Sequence, residues 1–447
     1  MKIIIVGSGR TGCALIEVLS KKNHDVTVID KQKKLVDEIT DKYNVNGVVG
    51  SGASKATLLK AGADTADILI ALTPVDEINL LSCVQAKALG TLRTVARVFQ
   101  PDFGAERKSL EKEQGIDYIF NPKYDMAEES AASLGLPGAV KLEGLFEEKL
   151  QMVSLNVLPD SPIAGKSMAE MRNIVREEFL IATVLREDKL HVPDRDFTIK
   201  TGDIIGVAAS REVLLRVLQK LGIVKGFVKD VLIIGGGITT SYLIEMLAKE
   251  HKHITVIESD IDRCRELMEQ YPYVKVSYGS GEWGELLEDE NIASMDAVVS
   301  LTDADEVNLV TSMYAWSRNV PSVLTRIDAP GHLNLLHKIN LDITLSPSEI
   351  SVNKLVRFIR NQEMGDAPNE IEKYCTVADN KAEVFQFTAS ESFEKELKLK
   401  RNVNVVAIIR DGELFFHGNG SVIKKGDKVI IVAEKKRHIT KLNDILA

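Results

Sequence analysis

Cysteine is scarce in this 447-residue chain: there are four, Cys13, Cys83, Cys264 and Cys375, and no two form a CxxC pair. Their scatter argues against both a disulfide framework and a zinc site. Long apolar runs are missing too. None reaches the ~18 residues that a membrane helix needs, and the N-terminus reads as a strand rather than a secretory leader. A basic excess is also absent, since 56 Lys+Arg face 65 Asp+Glu for a formal net charge of −9. Generic attraction to nucleic acid or to an anionic membrane surface is therefore not expected. The eight histidines are scattered, and no HExxH, GxSxG or P-loop signature occurs. What remains is a chain of 45% hydrophobic and 27% charged residues, globular in composition and long enough for roughly three or four domains. A cytoplasmic location follows, with any membrane role exercised through a protein partner.

The informative stretch is Met1 to Gly12. An apolar, β-branched run, Ile3-Ile4-Ile5-Val6, breaks into Gly7-Ser8-Gly9-Arg10-Thr11-Gly12 and then into a helical pattern from Cys13 to Leu19. Strand, glycine loop and helix in succession are the context that a dinucleotide fingerprint requires. The first glycine permits the turn, the second lets backbone approach a pyrophosphate, and the third lets the helix pack on the strand with its N-terminus facing phosphate. A second strand, His24 to Asp30, ends on an acid 23 residues after Gly7, the spacing of a ribose-holding carboxylate. An acid there repels a 2′-phosphate and favours NAD over NADP.

A third strand, Val45–Val49, ends in Gly50-Ser51-Gly52-Ala53-Ser54, small residues that suit either the adenine side of a cofactor or a plain turn. A fourth strand, Asp67–Leu72, precedes Thr73-Pro74-Val75-Asp76-Glu77-Ile78-Asn79. Thr73 reads as an N-cap with Pro74 at the first helical position and Asp76 on the helix dipole, and the same helix start should face the cleft. The fifth strand carries Arg97, whose charge needs a partner: a structural carboxylate, which is favoured, or a bound phosphate. The sixth, Tyr118–Phe120, leads through Asn121-Pro122 into a helix over about Tyr124–Ala132. Six strands alternating with helices predict a doubly wound parallel sheet. The pattern changes at Gly135–Gly138. A small α+β module follows, with turns at Pro159–Pro162 and Thr201-Gly202-Asp203 and a linker at Lys225-Gly226-Phe227.

The second half repeats the first at an offset near 228 residues, falling to 225 at the last match. Val231–Ile234 opens into Gly235-Gly236-Gly237-Ile238-Thr239-Thr240, and the next strand ends at Glu258, again 23 residues past the first glycine. Gly279-Ser280-Gly281 matches Gly50-Ser51-Gly52. Thr302, Asp305, Glu306 and Asn308 keep the register of Thr73, Asp76, Glu77 and Asn79, Arg326 repeats Arg97, and Lys424–Asp427 repeats Lys200–Asp203. One departure stands out: the third glycine is Thr240, whose branched side chain should hold helix and strand apart or reshape the phosphate site.

Expected domains are 1–136 and 229–362, each a Rossmann-like doubly wound sheet, and 140–224 and 368–447, each a small α+β module. The candidate cofactor residues are Gly7, Ser8, Gly9, Arg10, Thr11, Gly12, Asp30, Lys31, Gly52, Ala53, Thr73 and Arg97. Their second-copy counterparts are Gly235, Gly236, Gly237, Ile238, Thr239, Thr240, Glu258, Gly281, Thr302 and Arg326. A dehydrogenase would need a substrate domain with a positioned acid or base. Neither small module offers one, and His251 and His253 read as solvent-side.

The GSGRTG loop with Asp30, the LTPVDEIN segment with Arg97 and the GKS…KTGD module, all doubled in one chain, resemble the RCK/KTN family of regulators of potassium conductance and transport. That resemblance implies a cytoplasmic regulator, not an enzyme, at the inner face of the membrane. It implies NAD(H), and ATP or ADP, in the clefts. It further implies a ring-shaped homo-oligomer on an integral membrane potassium transporter or channel of the TrkH/TrkG type, and helices near Tyr124–Ala132 and Glu349–Asn361 that cross between domains. The alternative is an NAD-dependent oxidoreductase with an unrecognised substrate site.

Overall fold

The computed structural model describes all residues except 23, 101–106, 135–139, 147–148, 158–160, 188, 224–227, 282–283, 330–331, 333–342, 364–370, 379–380, 391, 393–398, 401, 417–421, 435–438, 440–441 and 447. The expected break at Gly135–Gly138, the linker at Lys225–Phe227, and Pro159 and Asp160 of the expected turn lie outside the described residues.

The first half opens with β1 (Lys2–Val6), α1 (Arg10–Ser20), β2 (Asp25–Asp30), α2 (Lys33–Tyr43), β3 (Asn46–Val49) and α3 (Lys55–Lys60). It continues with β4 (Ile68–Ala71), α4 (Asp76–Leu89), β5 (Arg93–Arg97), α5 (Arg107–Gln114), β6 (Tyr118–Phe120) and α6 (Pro122–Ser133). The six strands are parallel in the order β3-β2-β1-β4-β5-β6. Ile3, Ile4, Ile5 and Val6 are all buried, because helices cover both faces of a parallel sheet. The strand order reverses between β1 and β4, and such a switch point opens a crevice at the carboxyl ends of the strands.

A module of β7 (Val140–Phe146), β8 (Leu150–Asn156), α7 (Met168–Val175), β9 (Phe179–Arg186), β10 (Lys189–His191), β11 (Ile204–Ser210) and α8 (Arg211–Lys220) follows. Its five strands form an antiparallel sheet, β10-β9-β11-β8-β7. The expected KTGD turn braces it. Asp203 accepts two hydrogen bonds from the Arg186 guanidinium, at 2.8 and 2.7 Å, and one from the Lys200 amide at 2.8 Å.

The second half repeats this plan. Its parallel sheet comprises β12 (Asp230–Ile234), β13 (His253–Glu258), β14 (Lys275–Tyr278), β15 (Ala297–Ser300), β16 (Ser322–Arg326) and β17 (Ile343–Leu345). These strands take the same order, β14-β13-β12-β15-β16-β17. The helices are α9 (Ile238–Ala248), α10 (Ile261–Gln270), α11 (Gly284–Asp289), α12 (Asp305–Ser317) and α13 (Pro347–Glu363). The last module holds β18 (Ile371–Val377), β19 (Ala382–Thr388), β20 (Val403–Arg410), β21 (Glu413–Phe415) and β22 (Lys428–Glu434), with Asp427 gripping Arg410 as Asp203 grips Arg186.

The two halves interlock. Val352, Leu355 and Ile359 of α13 are buried in the core of the first sheet beside Ile3, Ile5 and Leu15, and Phe358 stacks on Tyr118 at 5.4 Å. Reciprocally, Met126 and Ala127 of α6 enter the second core beside Ile233 and Leu243, and Tyr124 meets Tyr242 edge to face. Both crossing helices are thus present, each starting earlier than the sequence suggested because Pro122 and Pro347 occupy first-turn positions, where a missing N–H costs nothing. The two small modules also share a core, in which Leu150 and Met152 pack with Val384, Val406 and Ile430.

Candidate functional site

The strand-to-helix turn after β1 is built around two glycines. Gly7 sits at φ +102°, a region glycine enters freely, and a Cβ on Gly12 would stand 2.2 Å from the Gly7 carbonyl. Helix and loop are therefore as close as backbone allows. The α1 N-cap is Gly9, which offers no side-chain cap, so the first amides of the helix are left for a ligand.

Asp30 closes the loop from the other side. Its carboxylate accepts the Ser8 amide at 2.9 Å, the Ser8 hydroxyl at 2.6 Å and the Gln32 amide at 2.9 Å. Burial pushes this carboxyl up, but the hydrogen bonds from Gln32 and Ser8 outweigh it and hold the group below the usual range. Asp30 is thus charged and fixed at the mouth of the crevice, with oxygen lone pairs to spare for a ribose.

Around the loop lies a cleft of about 590 Å³, within the size range of small-ligand sites. Of the expected first-copy residues, Gly7, Ser8, Gly9, Arg10, Thr11, Asp30, Lys31, Gly52, Thr73 and Arg97 line it. Gly12 lies beneath the loop. Ala53 stands outside the described lining. Gly52 is small for a packing reason, since its Cβ would fall 2.2 Å from Val6 Cγ1. Leu35 and Phe99 also line the cleft, apolar surface that no motif flagged, beside Ile78 of the LTPVDEIN segment.

Two expectations about the far wall need correction. Thr73 is not the N-cap of α4: the helix starts at Asp76, with Val75 as cap residue. Asn79 decides this. Its Oδ1 accepts the Thr73 amide at 2.8 Å and hydroxyl at 2.7 Å, while its Nδ2 donates to the carbonyls of Thr73 at 2.8 Å and Arg97 at 2.9 Å. Asn79 therefore ties the β4 loop to β5 and holds Thr73 out of the helix. Asp76 does not merely meet the helix dipole; it accepts the amides of Phe99 and Gln100 at 2.8 and 2.9 Å. The second copy repeats the arrangement with Asn308, Thr302, Arg326 and Asp305. Much of the doubled Thr-Asp-Asn pattern is thus an internal brace.

The second correction concerns Arg97, for which a structural carboxylate was favoured. Among the described residues it forms no ion pair. Its guanidinium donates to the Leu72 carbonyl and stacks over Phe99 at 4.6 Å, and its Nε is buried without a hydrogen bond. Burial pulls its pKa down to about 10, only partly offset by Asp76. A half-buried cation without an ion pair leaves positive charge on the cleft wall that an anion would offset.

The second half walls the first cleft. Arg326, Asp328, Pro347 and Ser348 complete the lining, and Arg10 of the loop lies 3.7 Å from Asp328. Of the second-copy candidates, Arg326 therefore faces the first cleft. Gly235, Gly236, Gly237, Ile238, Thr239 and Thr240 form the second loop, with Glu258, Gly281 and Thr302 around it. Glu258 accepts the Gly236 amide at 2.5 Å. Thr240 is fully buried and its hydroxyl bonds the Gly235 carbonyl at 2.5 Å, so the branched residue is accommodated by a hydrogen bond into the loop. Among the described residues no helix is long and apolar enough to cross a membrane, and no cluster of three or more His, Cys, Asp or Glu could hold a metal.

Fold and cleft define a class: a duplicated dinucleotide-fold protein with a small antiparallel module after each copy. The TrkA-N domain model matches residues 3–122 and 231–347, and the TrkA-C domain model matches 152–222. The chain is 30% identical over 445 residues to Trk system potassium uptake protein TrkA homolog 1 of Methanosarcina mazei, an alignment covering 96% of this chain and 97% of that one. Identity to TrkA of Halomonas elongata is 28% over 450 residues, covering 98% and 97%. The chain belongs to the TrkA family of Trk-system potassium uptake proteins. In fold it is similar to the GsuK channel bound to NAD, with a TM-score of 0.64 at 17% identity over 97% of this chain and 77% of that one. The GsuK RCK domain gives the same TM-score, over 97% and 92% of the two chains.

Proposed function

We propose that this protein is a cytoplasmic regulatory subunit that gates a membrane potassium transporter or channel in response to bound NAD(H), ATP or ADP. Its relatives are named as Trk potassium uptake proteins, and structures of its fold neighbour GsuK carry NAD in one case and ADP in another. The observation that carries the nucleotide reading is Arg97: a half-buried guanidinium that forms no ion pair among the described residues, on the wall of a cleft that also holds an uncapped helix start. The ligand is held by Gly7, Ser8, Gly9, Arg10, Thr11, Lys31 and Arg97 on its phosphates and by Asp30 on its ribose, with Gly12 keeping the helix close and Gly52, Ala53 and Thr73 at the flanks. Domain limits at 1–136, 140–224, 229–362 and 368–447 fit this division of labour.

The mechanism follows from the composite wall. A ligand touches the loop of one half and residues 326, 328, 347 and 348 of the other, and Pro347 begins α13, whose body is packed in the first core. Ligands of different size and charge thus favour different settings of the two halves, each shifting the balance only by its difference in affinity between settings. A homo-oligomeric ring on a TrkH/TrkG-like subunit, at the inner face of the membrane, converts that setting into gating. The test is potassium flux through the reconstituted transporter with and without this chain and each nucleotide. Nucleotide binding that leaves flux unchanged refutes the gating role.

A further inference from the structure

We infer that the chain binds one anionic nucleotide, in the first cleft alone, and that Asp303 and Asp328 are the residues that keep phosphates out of the second. The inference rests on the nucleotide reading of the first cleft and goes beyond it.

The two loops share a backbone but not a charge. The first carries three cations, Arg10, Lys31 and Arg97, and one carboxylate of its own, Asp30. At the matching positions the second has Ile238 for Arg10 and Ser259 for Lys31, leaving Arg326. That guanidinium is already neutralised. Its Nη1 lies 2.7 Å from Asp303 and its Nη2 2.8 Å from Asp328. Asp303 and Asp328 stand where the first copy has Pro74 and Phe99, neither of which carries charge. Burial lowers the Arg326 pKa, but Asp328 and Asp303 outweigh it and raise the group, the reverse of Arg97. Within the first cleft, where Arg326 and Asp328 also form part of the wall, the pair adds no net charge.

The second loop is also strapped shut. Arg263 stands at the position of Leu35, and its Nε donates to the Gly236 carbonyl at 2.7 Å while its Nη2 donates to Ser241 Oγ at 2.7 Å. Its Nη1 donates to Glu266 at 2.8 Å. Arg263 is therefore spent on the loop and the helix behind it. Among the described residues, a phosphate entering here meets Glu258 and Asp303, while Arg326 is already paired with Asp303 and with Asp328, which also walls the first cleft.

The experiment is nucleotide stoichiometry on the full chain, by equilibrium dialysis against ADP and against NADH. One equivalent per chain is expected, and Arg97→Gln removes it; Asp30→Asn serves as the second first-cleft variant if Arg97→Gln fails to fold. D303N/D328N is expected to bring in a second equivalent, through an affinity gain of about tenfold or more, or at least about 1.4 kcal/mol. Two equivalents in the wild type, or one surviving Arg97→Gln, overturn the inference and leave the nucleotide reading standing. No second equivalent in D303N/D328N overturns the assignment to those two carboxylates. No binding of either nucleotide by the wild type overturns both readings.

Discussion

Lys354 Nζ lies 2.6 Å from Asp125 Oδ1, joining the two crossing helices at the seam between the halves. Burial presses the lysine toward its neutral form, but Asp125 and Glu128 prevail and hold its pKa above the ordinary value. Asp125 is almost wholly buried, so removing the cation takes its ion pair across the seam away from a carboxylate in a poor solvent. Lys354→Met is expected to cost about 3–5 kcal/mol, whereas the double variant with Asp125→Asn recovers most of that loss. Denaturant unfolding of the two variants beside the wild type checks this.

The proposed ribose role of Asp30 makes it the determinant of nucleotide choice. Asp30→Ala removes a charged hydrogen bond to ribose of about 1.5–3 kcal/mol, which should weaken NADH about ten- to hundredfold. NADPH should lose far less, because its 2′-phosphate no longer faces a carboxylate. Parallel titrations with the two dinucleotides measure the narrowing; an unchanged ratio refutes the ribose role.

Gly12 tolerates no side chain. With the Gly7 carbonyl 2.2 Å from an added Cβ, Gly12→Ala must push α1 off β1, at about 1–3 kcal/mol. Nucleotide affinity should fall with stability, since the same displacement moves the helix start away from phosphate. A melting curve and an ADP titration on one preparation test both effects.

Asn79 acts at a distance from the ligand. Asn79→Ala leaves the Thr73 amide and the Arg97 carbonyl without partners, and about 1–3 kcal/mol of stability should go with each buried group left unsatisfied. Arg97 would lose its anchor, so affinity for ADP falls without loss of any ligand-contacting side chain. Asn79→Asp, which sets a carboxylate oxygen against the Thr73 and Arg97 carbonyls at a fully buried position, should cost at least as much as alanine.

The small modules should fail in acid. Burial raises the Asp203 carboxyl, but Arg186 and the Lys200 amide outweigh it and keep its pKa below 3.8. A carboxyl depressed in the folded state stabilises above its unfolded value of about 3.9 and loses that contribution as pH falls through the folded value. Asp427 is held the same way by Arg410. Asp203→Asn should therefore be less stable at neutral pH and show a shallower loss below pH ~4, measured by thermal unfolding across pH 3–7.

The sheets and the glycine loop were legible because their signals are local. Spacing from Gly7 to Asp30 and the doubled pattern in the second half needed no knowledge of packing. What failed depended on contacts between elements. Thr73 with Pro74 reads as a helix start, yet Asn79 six residues on captures Thr73 and moves the start to Asp76. For Arg97 a carboxylate partner reads as slightly favoured over a bound phosphate, but among the described residues it has no ion pair where Arg326 has two. Leu35 and Arg263 went unnoticed, although laying the halves over one another at the repeat offset exposes their difference in charge. That Arg326 and Asp328 wall the first cleft could not be read at all, since it follows from how two halves of one chain meet.

The exchange of α6 and α13 makes this chain a dimer written as a monomer. Cut between the halves, the first would keep α6 with no core to enter and leave open the groove that α13 fills. Its simplest remedy is another copy of itself, each lending the other its last helix. A fragment ending near residue 224 should therefore be recovered as a two-fold pair, built on self-complementary exchange. In such a pair both clefts would carry the Arg10, Lys31 and Arg97 set, and the inequality between the two clefts, which requires two different halves, would vanish.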